Sequence, residues 1–184
     1  MIVNTDPFKR FIEIWLYLML LLIILIVFIG GLTRLTDSGL SITEWELFRG
    51  IFPPLNNEMW IFYFDLYKQI PEYKEVNYDM SLSEFKVIYY WEYGHRLIAR
   101  VIGLFSILPL IYLFFRFKKY RNEILKYVII FLLICSQGLI GWLMVKSGLI
   151  DNTDVSHYRL ALHLSVAFII LSIIFWFILD NLKI

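Results

Sequence analysis

Tyr89-Tyr90-Trp91-Glu92-Tyr93-Gly94-His95-Arg96-Leu97-Ile98-Ala99-Arg100-Val101-Ile102-Gly103 reads as a helix entering a membrane with an acid, an imidazole and two guanidiniums in its first turns. Glu92 and His95 are three residues apart and share a helix face, which Ala99 and Gly103 continue below them. Two small residues under a histidine let something flat and bulky lie against the helix. Ionisable groups in or near hydrocarbon are expensive, so Glu92, His95, Arg96 and Arg100 together mark a functional site.

The chain around this stretch has 184 residues, 60% of them apolar, and a mean hydropathy of +0.69, a composition of membrane proteins. A net charge of +1 gives no footprint for nucleic acid, so membrane lipid is the partner that composition implies. The lone cysteine, Cys135, sits in an apolar run, which excludes an intrachain disulfide and a thiolate metal cluster and suits packing as a small hydrophobe. Met1 to Arg10 lacks the Arg- and Ser-rich pattern of a transit peptide. No small-residue cleavage site follows the first apolar run, which is expected to be retained.

Four apolar segments reach the roughly 20 residues that a spanning helix needs. They run over about 11–32, 89–115, 127–145 and 158–179. The expected fold is an all-α membrane protein, a four-transmembrane-helix bundle forming a single membrane domain over residues 1–184. A long outer loop, about 33–88, is expected to contain amphipathic helices. Lys9 and Arg10 precede the first span, and Arg116, Lys118, Lys119 and Arg121 fill the link between spans two and three. Thr33 to Glu92 instead carries ten acids against five bases. The positive-inside rule then puts both termini in the cytoplasm (or matrix) and the long loop outside.

In that loop, Met59, Trp60, Tyr63, Phe64 and Tyr67 repeat at helical spacing, and Trp45, Phe48 and Phe52 make a shorter version before Pro53-Pro54. Such turns favour the headgroup region; packing of the aromatics on top of the bundle fits the spacing equally well. Ser81-Leu82-Ser83-Glu84 has capping-box spacing and predicts a helix that runs unbroken into span two. A faint internal repeat links Gly31-Leu32 and Ser38-Gly39-Leu40 with Gly141-Trp142-Leu143 and Ser147-Gly148-Leu149, hinting at two related helix hairpins.

All three histidines lie on the outer side. Spans two and four run in the same direction, and His95 and His163 fall six or so residues into their helices, at similar depth, near 9 Å from their helix starts at about 1.5 Å per residue. Two imidazoles at one depth on two helices of a bundle can grip a haem iron from both faces. Zinc would need further ligands, and only Glu92 is well placed. Arg96, Arg100 and Arg159 could hold haem propionates, since guanidinium pairs well with carboxylate. Alternatively, Arg96 pairs with Glu92 while Arg100 and Arg159 snorkel. His157, nearer the water, suits a structural role. Glu92, one turn before a candidate iron ligand, could accept a proton or stabilise positive charge developing on a substrate. Gln137, Gly138 and Gly141 in span three form a polar, small-residue face suited to close helix approach or cofactor room.

Several longer blocks resemble one family. They are Gly30-Gly31-Leu32-Thr33-Arg34-Leu35-Thr36-Asp37-Ser38-Gly39-Leu40-Ser41, Pro53-Pro54, Asp79-Met80-Ser81-Leu82-Ser83-Glu84-Phe85-Lys86, Trp91-Glu92-Tyr93-Gly94-His95-Arg96, the run from Gln137 to Leu149, and Tyr158-Arg159-Leu160-Ala161-Leu162-His163. In order and over nearly the whole chain, these are similar to haem A synthase of the mitochondrial and proteobacterial type. The resemblance implies an oxidoreductase acting on a CH group: a ring methyl of haem O becomes the formyl group of haem A, the cofactor of cytochrome c oxidase, whose assembly it serves. It implies that His95 and His163 ligate the iron of the substrate haem and that Glu92 is catalytic, stabilising a cationic intermediate. It also implies haem O synthase and an electron carrier as partners.

The chain departs from that family in resembling only its amino-terminal four-helix half. Family members have eight spans, and their second half carries another histidine pair for haem b. A second half-chain or a homodimer is therefore an expected partner. The cysteine pair in the outer loop of some bacterial members is absent. The bacterial inner membrane is the expected location, with the mitochondrial inner membrane as the alternative. Two other functions fit the residues: a b-type membrane cytochrome acting only in electron transfer, which needs the histidines but not Glu92, and a non-catalytic membrane assembly factor, which needs no iron ligand.

Overall fold

The first helix begins where a side chain supplies the acceptor that a helix start lacks. In the computed structural model, which describes residues 6–45, 49–120 and 123–182, Asp6 accepts the Phe8 N–H at 3.1 Å and Pro7 occupies the first turn of α1 (Pro7–Leu35). The chain continues through a short 3₁₀ turn (Arg49–Ile51), α2 (Asn57–Tyr67), α3 (Pro71–Glu75), α4 (Leu82–Tyr120), α5 (Ile124–Asp151) and α6 (His157–Leu182). Among the described residues every regular element is helical, and α1, α4, α5 and α6 are long and apolar enough to cross a membrane. Phe48 and Arg121 lie outside the described residues, as does part of the Met1 to Arg10 stretch.

The spanning helices outrun the apolar segments that announce them. Apolar counting stops at the first charged residues, whereas backbone hydrogen bonding continues through them. The clearest case is α4, which starts at Leu82, as the capping box predicts: the Ser81 N–H donates to Glu84 Oε2 at 2.8 Å and the Glu84 N–H to Ser81 Oγ at 3.4 Å. Helical backbone then runs unbroken to Arg116, where φ is −127° and ψ 21°.

α1 packs on α4 and α6, and α5 packs on α4 and α6, so α4 and α6 stand at diagonal corners. Successive spans alternate in direction, and the diagonal pair is parallel. The membrane core draws Trp15, Leu16 and Met19 from α1, Ile102 and Leu113 from α4, Ile130 from α5 and Ile174 from α6. Pro109, fully buried within α4, has no N–H to give the Phe105 carbonyl four residues back. The Trp15 indole N–H fills that role from the neighbouring helix, at 2.8 Å from Phe105 O.

A second core lies above the first. α2 is capped by Asn56, which accepts the Met59 N–H at 2.8 Å, and turns Trp60, Phe64 and Tyr67 onto Phe85 and Tyr89 of α4. These three aromatics follow the bundle-packing reading of the loop. The internal repeat has no counterpart in local conformation. Ser38-Gly39-Leu40 follows the end of α1, while Ser147-Gly148-Leu149 stays inside α5. The difference arises at Asp37, whose φ of 46° ends α1 in a left-handed turn, with the Ser38 N–H bonded to Thr33 O and the Asp37 N–H to Arg34 O.

Glu72 of α3 is 5% exposed, in hydrogen-bond contact with the Tyr67 hydroxyl, which in turn accepts from Asn77 Nδ2 at 2.8 Å. Burial, then the charges of Glu92, Asp37 and Asp154, push its carboxyl up to about 8.

Two outcomes are expected. Trp15→Phe should destabilise the protein by about 1–3 kcal/mol by orphaning a carbonyl in the membrane. In a Pro109→Ala background, where the helix supplies its own donor, the same substitution should cost distinctly less in a denaturant double-mutant cycle. For Glu72, the folded protein holds the proton to about pH 8 while the unfolded chain releases it near 4.5, so stability declines as pH rises through that window and is level above it. Glu72→Gln removes this loss, so its melting temperature should match the parent at pH 5 and exceed it by a few degrees at pH 8.5.

Candidate functional site

The turn that ends α1 sends the following residues back down against α4. Ser38 and Ser41 are fully buried on this path, and Leu40 rests on Gly148 of α5, where a Cβ would come within 2.8 Å of Leu40 Cδ2. Arg34 fixes the same corner by a two-pronged ion pair with Asp154, Nη1 to Oδ1 at 2.8 Å and Nη2 to Oδ2 at 2.6 Å, and Asp154 also accepts the Val155 N–H.

The returning segment meets Glu92, which is 3% exposed. Glu92 Oε2 accepts from Ser41 Oγ at 2.7 Å and from the Ile42 N–H at 2.8 Å. Oε1 accepts from Arg96 Nε at 2.9 Å and from Arg96 Nη2, and the same Nη2 donates to Ile42 O at 2.9 Å. Carboxylate, guanidinium and one peptide unit thus form a closed clasp, ten to fourteen residues into α4. The i,i+4 pairing of Glu92 with Arg96, one of the two sequence readings for that arginine, is present.

The two histidines occupy the diagonal helices. His95 of α4 lies against Gly30 of α1, where a Cβ would stand 3.1 Å from His95 Nε2; His163 of α6 lies against Gly141 of α5, where a Cβ would stand 3.0 Å from His163 Cε1. Gln137 Nε2 donates to the His163 carbonyl at 2.9 Å, and His163 Nδ1 is buried with no hydrogen-bond partner among the described residues. The equal distance from their helix starts expected of the two histidines is not found. His163 is six residues into α6, but His95 is thirteen into α4, because α4 starts at Leu82 and projects about two further turns beyond the apolar span. What the two share is a seat against a glycine of an adjacent span, not distance from a helix start.

Arg100 is partly buried and lines, with Arg96, Tyr89, Tyr93, Tyr63 and Ile42, a cleft between α4 and the outer segment. Arg159 and His157 are exposed at the start of α6, away from the clasp. Ala99 is exposed, and beside Gly103 and Gly138 there is open space. Sequence reasoning missed Gly30, Ser41, Ile42 and Asp154 as parts of this arrangement. Gly30 carried a signal, a glycine near the end of an apolar span. Ile42 carried none, since it acts through its backbone.

Curated relatives extend the picture. The chain is 59% identical over 184 residues to a protein of Pelagibacter ubique (strain HTCC1062) named Heme A synthase, covering 100% of this chain and 55% of the relative. It is 51% identical over 172 residues to a Heme A synthase of Nitrosospira multiformis, covering 94% of this chain and 48% of that one. It is 49% identical over 167 residues to a Heme A synthase of Rickettsia bellii (strain OSU 85-389), covering 91% and 50%. The chain spans about half the length of the curated relatives it matches. No solved structure matches it significantly. The family model COX15-CtaA, described as cytochrome oxidase assembly protein, matches residues 13–184. Matched by this model over most of its length, and by relatives about half identical to it, the chain belongs to the COX15-CtaA family.

Proposed function

We propose that this chain is the substrate-binding, catalytic half of a haem A synthase, oxidising a methyl group of haem O to the formyl group of haem A. The observation that carries the reading is the pairing of His95 and His163 on parallel, diagonal helices with a buried carboxylate one turn from His95. The residues fit a haem. The imidazoles stand on diagonal helices, each against a glycine of an adjacent span, and the orphaned His163 Nδ1 is a nitrogen that a bound group would engage, directly or by fixing the ring.

In this reading His95 and His163 hold the substrate iron. Glu92, acceptor to four donors, supplies a fixed electronegative centre, an arrangement that suits stabilising positive charge as it develops on the oxidised carbon. Arg96 orients Glu92 and shapes the cleft. Because two of its nitrogens are committed to the clasp, the propionates fall to Arg100, in that cleft, and to Arg159, one turn before His163. The four spans sit in a bacterial inner membrane with both termini cytoplasmic, supported by the basic residues flanking spans one and two. A second half-chain or a second copy of this chain supplies haem b, and haem O synthase and an electron carrier act with it in cytochrome c oxidase assembly.

The test is haem extraction and chromatography from cells that make haem O, expressing this chain alone and with a second half. Haem O or haem A bound to the chain is expected; haem B alone would overturn the reading in favour of an electron carrier, and no haem in favour of an assembly factor. Glu92→Gln should keep the bound-haem spectrum and lower haem A formation by about 100-fold. Gly30→Val and Gly141→Val, which press on the imidazoles, should abolish haem binding, while Gly138→Val, with open space beside it, should leave the haem spectrum unchanged.

A further inference from the structure

The outer segment after the clasp carries large apolar side chains that neither core covers. Trp45, Ile51, Phe52 and Leu55 are 57%, 40%, 70% and 77% exposed, and residues 50–55 contain no charge. α2 is mixed: Glu58 and Asp65 are exposed beside Met59, Ile61 and Phe62, which are 37%, 50% and 56% exposed. Apolar exposure on this scale needs an occupant.

Two tie points, on two different helices, set the level of these residues. Trp45 stacks edge-on against Trp142 of α5, with ring centroids 6.0 Å apart. α5 carries no charge from Tyr127 to Val145, and Lys146, the first charge beyond, holds its Nζ 4.9 Å from the Trp142 ring centroid. Lys146 therefore marks the headgroup level, with Trp142 about 6 Å beneath it along the helix. Leu139 and Leu143 on the same helix are 55% and 48% exposed and face hydrocarbon. On α4, the Tyr93 hydroxyl donates to Ile51 O at 2.7 Å. Tyr93 stands one turn above a stretch, 97–115, whose only charge is Arg100.

We infer that Trp45 and residues 50–55 are seated in the acyl–headgroup boundary of the leaflet on this side, as a lipid-facing strap across the outer ends of α4 and α5. Tryptophan beside lysine at the rim of an apolar helix is the pattern of an interfacial belt, and uncharged Phe, Pro, Ile and Leu at that depth are what the boundary accepts. The occupant is the bilayer itself, continuous with the lipid that covers Leu139 and Leu143. The strap follows Ile42 by three residues, so its seating in lipid holds the segment that clasps Glu92 and Arg96.

The full chain, reconstituted alone in phosphatidylcholine vesicles, gives the test. With Cys135→Ser as background, spin labels at Phe52→Cys and Leu55→Cys are compared with Leu139→Cys, in the lipid-facing wall, and Tyr78→Cys, exposed on the outer loop. Oxygen accessibility relative to that of a water-soluble nickel chelate should be several-fold higher at 52 and 55 than at 78, approaching the value at 139. A ratio equal to that at 78 would place the strap in water. Low access to both reagents would mean that protein covers it. Either result overturns the proposal. A second readout needs no label: shallowly brominated lipid should quench Trp45, so the quenched fraction of tryptophan emission should fall in Trp45→Phe. An unchanged quenched fraction would overturn the proposal.

Discussion

A carboxylate buried within a membrane helix must find donors, and the path of the chain from Thr33 to Ile42 is shaped by that need. Glu92 draws on a hydroxyl, a peptide N–H and two guanidinium nitrogens. The hydroxyl and the peptide N–H come from a segment that lies in place only because α1 stops at Asp37 and the chain turns back. Arg96 closes the set by donating to Ile42 O, the carbonyl of the residue whose N–H serves Glu92. Removing one member of a buried pair leaves an uncompensated charge, a loss of about 3–5 kcal/mol. The Leu40 seat on Gly148 and the Arg34–Asp154 pair brace the same corner from α5 and the α5–α6 link.

The same demand for partners operates on the backbone, where lipid offers none. Pro109 deprives one carbonyl of its helical donor, and an indole from α1 supplies it. That bond ties α1 to α4 in the membrane core, as the Thr33–Ile42 path ties them at the outer rim. The two helices that carry Gly30 and His95 are thus fixed to each other at two heights, and the contact between glycine and imidazole follows from both.

The four spans, the start of α4 and the parallel run of the helices that carry His95 and His163 were legible in the sequence, because apolar runs and the Ser81–Glu84 box are local signals. The i,i+4 spacing of Glu92 and Arg96 was legible for the same reason. The distance of His95 from its helix start was not, since α4 begins about two turns before its apolar span. Nor was the clasp itself. Ile42 contributes its peptide group, which no side chain announces, and Ser41 reaches Glu92 across 51 positions of sequence. The left-handed turn at Asp37 was equally hidden, since aspartate tolerates that conformation without demanding it. Periodicity over 59–67 predicted a helix and left its surroundings open. The structure divides the outer aromatics between two fates, with Trp60, Phe64 and Tyr67 in the upper core and Trp45 and Phe52 outside it. Spacing within one helix cannot make that distinction, because it depends on where α4 stands.

Each of the four spans contributes to the site. Gly30 comes from α1, Glu92 and His95 from α4, Gln137 and Gly141 from α5, and His163 from α6. The seats for the imidazoles are on helices other than those that carry them, so neither ring is placed by its own helix alone. Closure of the bundle, with α1 against both α4 and α6, therefore comes before the site rather than after it. A helix pair holding only His95 and Gly30, or only His163 and Gly141, would position one ring and leave the other without a counterpart. Parallel, diagonal placement sets each imidazole against a glycine of an adjacent span, where a larger side chain would press on the ring. That is why the glycines, which carry no chemistry, are as much a part of the site as the histidines.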